Sequence, residues 1–162
     1  MGTNNIVRSE SRKSIFPSAQ SVVSAAVSFE QGDLLVFDDA ANLLKVPTLE
    51  ADGSTFLGVA VESVVLGKLK KPYSTDVDAS SAITDVPGPV YGVIAKCVLK
   101  TGSTVAPGDL ISLDPASGTR GVQALVTKGI GIYQGAAIVG SAAGLEIEVL
   151  LGSRHPGDVL QF

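Results

Sequence analysis

The chain has 162 residues, 45% of them hydrophobic and only 17% charged, with 18 glycines, 8 prolines and a net charge of −4. That length suits one domain with a sizeable core and room for arms, and the turn-rich, small-residue composition favours short strands over long helices. The acidic balance (pI near 4.9) argues against a general nucleic-acid binder or a protein drawn to anionic membranes. A single cysteine excludes an internal disulfide.

The N-terminal segment, residues 1–21, reads as an extended arm. It has neither a helical stripe nor sustained alternation, as expected of a segment without its own core. Arg8, Arg12 and Lys13 against Glu10 leave residues 1–20 at +2, so with a total of −4 the rest of the chain carries −4 − 2 = −6. A frayed terminus and an arm that orders on a neighbouring subunit both fit; in the second, the apolar pairs Ile6-Val7 and Ile15-Phe16 are the candidate anchors and the basic residues guide approach to an acidic body.

Residues 22–152 form the expected body. Val22 to Phe29 is the first expected strand. Glu30-Gln31-Gly32-Asp33 then turns into Leu34-Leu35-Val36-Phe37, and residues 38–42 turn again into Leu43-Leu44-Lys45-Val46, a hairpin pattern. Pro47 to Ser54 is a loop before the strand Phe56–Val61. The polar stretch 66–89 is longer than an ordinary connection and reads as a surface excursion.

The next stretch organises the chain. From Val93 to Lys100 the residues alternate, with Val93, Ala95, Cys97 and Leu99 on one face and Ile94, Lys96, Val98 and Lys100 on the other. Ala106-Pro107-Gly108-Asp109 then turns into the apolar run Leu110, Ile111, Leu113. Short strands follow at Gly121–Val126 and Gly129–Tyr133. Leu145–Leu151 has the cleanest alternation in the chain, the mark of a half-buried antiparallel strand. The tail, residues 153–162, ends in Val159, Leu160 and Phe162, further candidates for docking.

An internal echo runs through this body. Gly32-Asp33-Leu34-Leu35 recurs as Gly108-Asp109-Leu110-Ile111, and Leu57-Gly58-Val59 recurs as Ile130-Gly131-Ile132. Each Gly-Asp reads as a tight turn whose carboxylate accepts backbone N–H bonds before a strand enters the core. A duplicated unit and two unrelated hairpins with the same turn chemistry both account for the echo.

The search for reactive constellations yields no catalytic residue, no cofactor site and no metal site. His155 stands beside Pro156 without a partner in sequence, Asp76, Asp78 and Asp85 lack the spacing of a calcium loop, and no phosphate-binding glycine motif is present. Cys97 reads as a small buried hydrophobe in a chain suited to a reducing cytoplasm. The longest uncharged run, Gly129 to Leu145, is broken by glycines and falls short of the ~20 apolar residues of a membrane span. The high mean hydropathy, +0.36, therefore points to a large core or to apolar surface covered by a partner.

The ordered motifs G-D-L-L-V-F-D, F-L-G-V-A-V-E, Y-G-V-I-A-K-C-V-L-K-T-G-S-T-V-A-P-G-D-L-I-S-L-D, G-I-G-I-Y and L-E-I-E-V-L-L resemble those of the capsid decoration (head cement) proteins of tailed bacteriophages, over roughly residues 30–151. The resemblance implies a mainly β fold, a small antiparallel β-barrel or β-sandwich with an extended N-terminal arm. It further implies a homotrimer on the outer capsid surface of the virion that bridges major capsid protein subunits. The long arm and the 66–89 excursion depart from the family pattern. A β-sandwich module that recognises a host glycan or protein is the alternative reading.

Overall fold

The computed structural model describes residues 6–9, 27–38, 43–66, 68–69, 92–126 and 128–152. The fold is mainly β, built around a closed five-stranded barrel and a separate three-stranded antiparallel sheet. In chain order the strands are β1 (Ile6–Ser9), β2 (Leu34–Asp38), β3 (Leu43–Lys45), β4 (Phe56–Val59), β5 (Val64–Val65), β6 (Lys68–Leu69), β7 (Val93–Leu99), β8 (Leu110–Leu113), β9 (Gly121–Ala124), β10 (Gly129–Tyr133) and β11 (Glu146–Leu151). Among the described residues, 3-10 helices at Glu50–Thr55 and Pro115–Ser117 occupy connections.

The barrel follows from the alternation in β7. Val93, Ala95, Cys97 and Leu99 are buried while the residues between them are half exposed, so one face turns inward throughout. β11 pairs antiparallel along the whole of β7, from Glu146 opposite Val98 to Leu151 opposite Val93. β10, β8 and β9 continue the sheet, and β9 returns to β7 to close it. That last pairing is parallel, with Val98 opposite Gly121 and Leu99 opposite Val122. It is the exception in a body expected to be antiparallel. Periodicity could not show it, because parallel and antiparallel partners leave the same alternation within a strand. The second edge of β7 is thus shared: β9 takes its C-terminal end, and β1 takes its N-terminal half through Ile6 opposite Ala95 and Ser9 opposite Val93.

The three-stranded sheet, in the order β3-β2-β4, is buried on both faces. Leu34, Val36, Phe56 and Val59 join the barrel's hydrophobic core. Leu35, Leu44 and Leu57 face the other way, into a second cluster with Phe29, Ala60 and Val64. Burial on two sides explains why Leu34-Leu35-Val36 is a continuous apolar run rather than an alternating one. At ~1.5–3 kcal/mol for each large apolar side chain, both faces contribute substantially. Two hydrogen bonds fix the sheet on the barrel: Leu34 N–H donates to the Thr119 carbonyl (3.1 Å), and the Thr119 hydroxyl donates to Asp33 (2.6 Å).

The internal echo proves to be structural repetition at residue level. Glu30 N–H donates to the Asp33 carboxylate and Ala106 N–H to that of Asp109, each at 2.8 Å. Gly32 N–H reaches the Ala60 carbonyl as Gly108 N–H reaches that of Tyr133, also at 2.8 Å. Ala60 and Tyr133 return bonds to the carbonyls of Asp33 and Asp109, both at 2.9 Å. The turn glycines have φ of +95° and +92°, a left-handed conformation that side chains resist.

The repetition continues along the strands. β2 pairs with β4 as β8 pairs with β10, and each ladder carries a bulge, at Leu57 and at Ile130. Val36 opposite Lys45 and Phe37 opposite Leu44 match Ser112 opposite Gln123 and Leu113 opposite Val122. The isolated bridge Phe29–Val64 repeats as Val105–Ile138. Beyond it, Leu66 N–H donates to the Ser28 hydroxyl (2.9 Å) as Gly140 N–H does to that of Thr104 (3.4 Å). Both Leu66 and Gly140 have positive φ, +48° and +63°. The described residues of 28–66 and 104–140 are therefore two copies of one supersecondary unit.

Of the expected strand Val22–Phe29, residues 22–26 lie outside the described residues, and Phe29 pairs through an isolated bridge rather than within a strand. Within the polar stretch 66–89, β6 pairs back on β5, and residues 67 and 70–89 lie outside the described set.

Candidate interaction surface

Reactive groups in the body are held in structural roles. Cys97 lies fully inside the barrel, and burial pushes its thiol up to about 12, with the Arg120 charge pulling it back and the Glu146 charge adding to the rise. At neutral pH it is a protonated, inaccessible thiol. Asp114 is buried at the end of β8, where the Ser117 hydroxyl donates to it and Lys100 stands 4.0 Å away. Among the described residues, no group of three or more His, Cys, Asp or Glu side chains could hold a metal ion. No described helix is long and apolar enough to cross a membrane.

The surface offers apolar side chains instead. Large hydrophobic residues left exposed include Leu49 (63%), Leu125 (46%) and Val126 (61%). They belong to corresponding connections in the two units, β3–β4 and β9–β10, which lie against each other. The Glu50–Thr55 helix packs so closely on its counterpart that a Cβ at Gly53 would stand 3.2 Å from the Lys128 carbonyl oxygen. Leu49 precedes that helix, and Leu125-Val126 precede Lys128, so two adjoining loops present apolar tips. Leu66 and Val139, also exposed, again fall in corresponding turns.

Asp52 holds the longer of these loops in shape. Burial alone would raise its carboxyl. Hydrogen bonds from Thr48 N–H (2.8 Å) and Leu49 N–H (3.0 Å), with Lys45 at 3.7 Å, outweigh that and hold it below the ordinary carboxylate range. Lys45 also pairs with Asp38 at 3.6 Å. The loop that carries Leu49 is thus tied at its base.

The docking residues expected from the sequence divide in two. Ile6, Val7 and Arg8 belong to β1, which pairs with β7 of its own chain, so this part of the arm has a place on the body. Arg12, Lys13, Ile15, Phe16, Val159, Leu160 and Phe162 lie outside the described residues, as do Asp76, Asp78, Asp85 and His155. Leu49, Leu125, Val126 and Val139 were missed as surface candidates. A short apolar run next to a turn reads as a strand end whether its side chains are covered or not.

No protein-family model matches the chain, and no curated protein matches it.

Proposed function

We propose that this chain is a structural virion protein that binds the outside of an icosahedral phage capsid and cements neighbouring major capsid subunits. The observation that carries the reading is the ordered set of family-like motifs. The G-D-L-L, F-L-G-V, V-I-A-K-C, G-D-L-I, G-I-G-I-Y and E-I-E-V-L-L segments fall on β2, β4, β7, β8, β10 and β11. The apolar tips Leu49, Leu125 and Val126 add support, because a cement protein needs surface that a shell or another copy can cover.

In this reading the body associates with copies of itself, as a homotrimer, and the basic arm engages a neighbouring decoration or capsid subunit. The charges set the rate of approach and its salt dependence. Burial of Ile15 and Phe16, at ~1.5–3 kcal/mol each, provides most of the hold.

The test uses shells of the source phage purified without this protein. Added chain should co-sediment saturably and appear by electron microscopy as regular protrusions on the outer surface. Leu125→Asp with Val126→Asp should weaken occupancy by about tenfold or more, since buried apolar contacts become desolvated charges. Absence of binding to shells, with binding to the host envelope, would establish the recognition-module alternative instead.

A further inference from the structure

We infer that Lys100 and Gln123 are poised to form an intramolecular isopeptide bond, with Asp114 carrying the proton, so that the seam closing the barrel becomes covalent. The three side chains meet beside that seam. Lys100 follows β7, Gln123 lies on β9 and Asp114 follows β8, so each comes from a different strand of one sheet. The Lys100 ammonium donates to Gln123 Oε1 at 2.9 Å and stands 4.0 Å from Asp114 Oδ1. Gln123 and Asp114 are each only 3% exposed.

The fold holds the reactants in place. Gln123 Nε2 donates to the Leu113 carbonyl at 3.0 Å, which fixes the carboxamide with its oxygen towards Lys100. The Ser117 hydroxyl donates to Asp114 Oδ2, while Oδ1 faces the lysine. A carbonyl bond adds ~1.2 Å, so Lys100 Nζ lies at most ~4.1 Å from Gln123 Cδ. The lysine side chain is half exposed and has room to turn, which brings Nζ to a reacting separation of ~3–3.5 Å. The first unit is built differently: Asp38 matches Asp114, but Lys45 stands in the place of Gln123.

The reaction needs no outside reagent. Asp114 takes a proton from the Lys100 ammonium, and the nitrogen lone pair attacks Gln123 Cδ as the carbonyl π pair moves to oxygen. Asp114 then gives its proton to Nε2 and takes one from the attacking nitrogen. The pair on oxygen returns, the Cδ–Nε2 bond breaks, and ammonia leaves with the proton from Asp114 as ammonium. Lysine ammonium and carboxamide thus become a secondary amide and ammonium, with nothing oxidised or reduced. The structure shows the pair before this step, joined by a hydrogen bond. The seam itself pairs only Val98 with Gly121 and Leu99 with Val122, and Lys100 N–H extends it to the Val122 carbonyl at 2.8 Å. The new bond falls on the next residues along, and it stands whether or not the protein cements a shell.

The test is intact-mass spectrometry of the unsubstituted full chain after days in mildly alkaline buffer. The mass should fall by one ammonia, and trypsin should release residues 97–120, uncleaved at Lys100, branched to residues 121–128. Full mass with separate linear peptides overturns the proposal. Lys100→Arg keeps the charge and removes the nucleophile, so that variant should retain its full mass. Ammonia loss in Lys100→Arg, or loss mapped to another residue, overturns the assignment. Chain held unfolded in denaturant should also keep its full mass, and equal loss there overturns the role given to the fold. Asp114→Asn should slow bond formation about 100-fold. Ser117→Ala, which leaves the carboxylate but frees it to turn away, should slow it severalfold and serves if the first variant does not fold. An unchanged rate in either folded variant overturns the part given to Asp114.

Discussion

The two copies of the repeated unit share a hydrogen-bond plan and differ in what they do with their second face. In the barrel copy the inward face of β8 and β10 is apolar, while the outward places hold Leu110, Ser112, Gly129 and Ile132. In the other copy the matching outward places hold Leu34, Val36, Phe56 and Val59, all buried against the barrel. One backbone scaffold thus serves as a barrel wall in one place and as a layer between two cores in the other. Where the first unit docks through valine and phenylalanine, the barrel copy carries serine and glycine at the matching places, with Ser112 buried and Leu110, Gly129 and Ile132 half-buried.

The charges diverged in the same manner. Asp38 and Asp114 end β2 and β8 at matching positions, and each meets a lysine from a different source. In the first unit it is Lys45, on the neighbouring strand β3. In the second, Gln123 holds that place and Lys100, beyond β7, reaches both Gln123 (2.9 Å) and Asp114. The turn chemistry did not diverge: glycine at positive φ followed by an aspartate accepting an N–H bond recurs in both.

The equivalence is open to attack first at its cores. Leu35 and Ile111 occupy matching, fully buried places, so Leu35→Ala and Ile111→Ala should each cost about 2–5 kcal/mol in denaturant unfolding. A loss below about 1 kcal/mol at Leu35 alone would mean that the second cluster is not packed as a core. The turn aspartates should separate the units. Asp33 is buried and accepts from both Glu30 N–H and the Thr119 hydroxyl, whereas Asp109 accepts from Ala106 N–H near the surface. Asp33→Ala should cost about 2–3 kcal/mol and Asp109→Ala about 1 kcal/mol, and equal losses would show that the Thr119 bridge contributes nothing.

The smallest effect is expected at Leu66 and Gly140. Both adopt left-handed backbone, but only Leu66 carries a side chain there. Leu66→Gly should raise stability by up to about 1 kcal/mol, and Gly140→Ala should lower it by about as much, since nothing lies within 4 Å of the added Cβ and backbone strain is the only cost. If Leu66→Gly destabilises the protein, the leucine is covered by something that compensates for its conformation.

Much of this architecture was legible in the residues. The alternation of β7 and β11 shows which side chains enter the barrel, and the paired Gly-Asp turns mark where each unit begins. The parallel seam between β7 and β9 was not legible, because joining two strands distant in sequence leaves no local periodicity. The hairpin strand Leu34–Phe37 was legible as β2, but its burial on both faces was not, because an unbroken apolar run does not say what covers each side. The apolar tips escaped for a related reason. Exposure of Leu125 and Val126 depends on how two loops from different units abut, which is a property of the tertiary arrangement alone.

The divided edge of β7 has a mechanical consequence. Closure of the barrel rests on two register pairs, while β11 grips β7 over six. Load applied across the wall concentrates on the shorter bond line, so rupture starts there and the cylinder unrolls into a ribbon still fastened by its longer seams. β1 lies on the same side of β7 as that line, just beyond its end. A tug on the N-terminal arm peels β1 from β7 pair by pair before it strains the closure, which makes the arm a sacrificial link that yields while the cylinder stays shut.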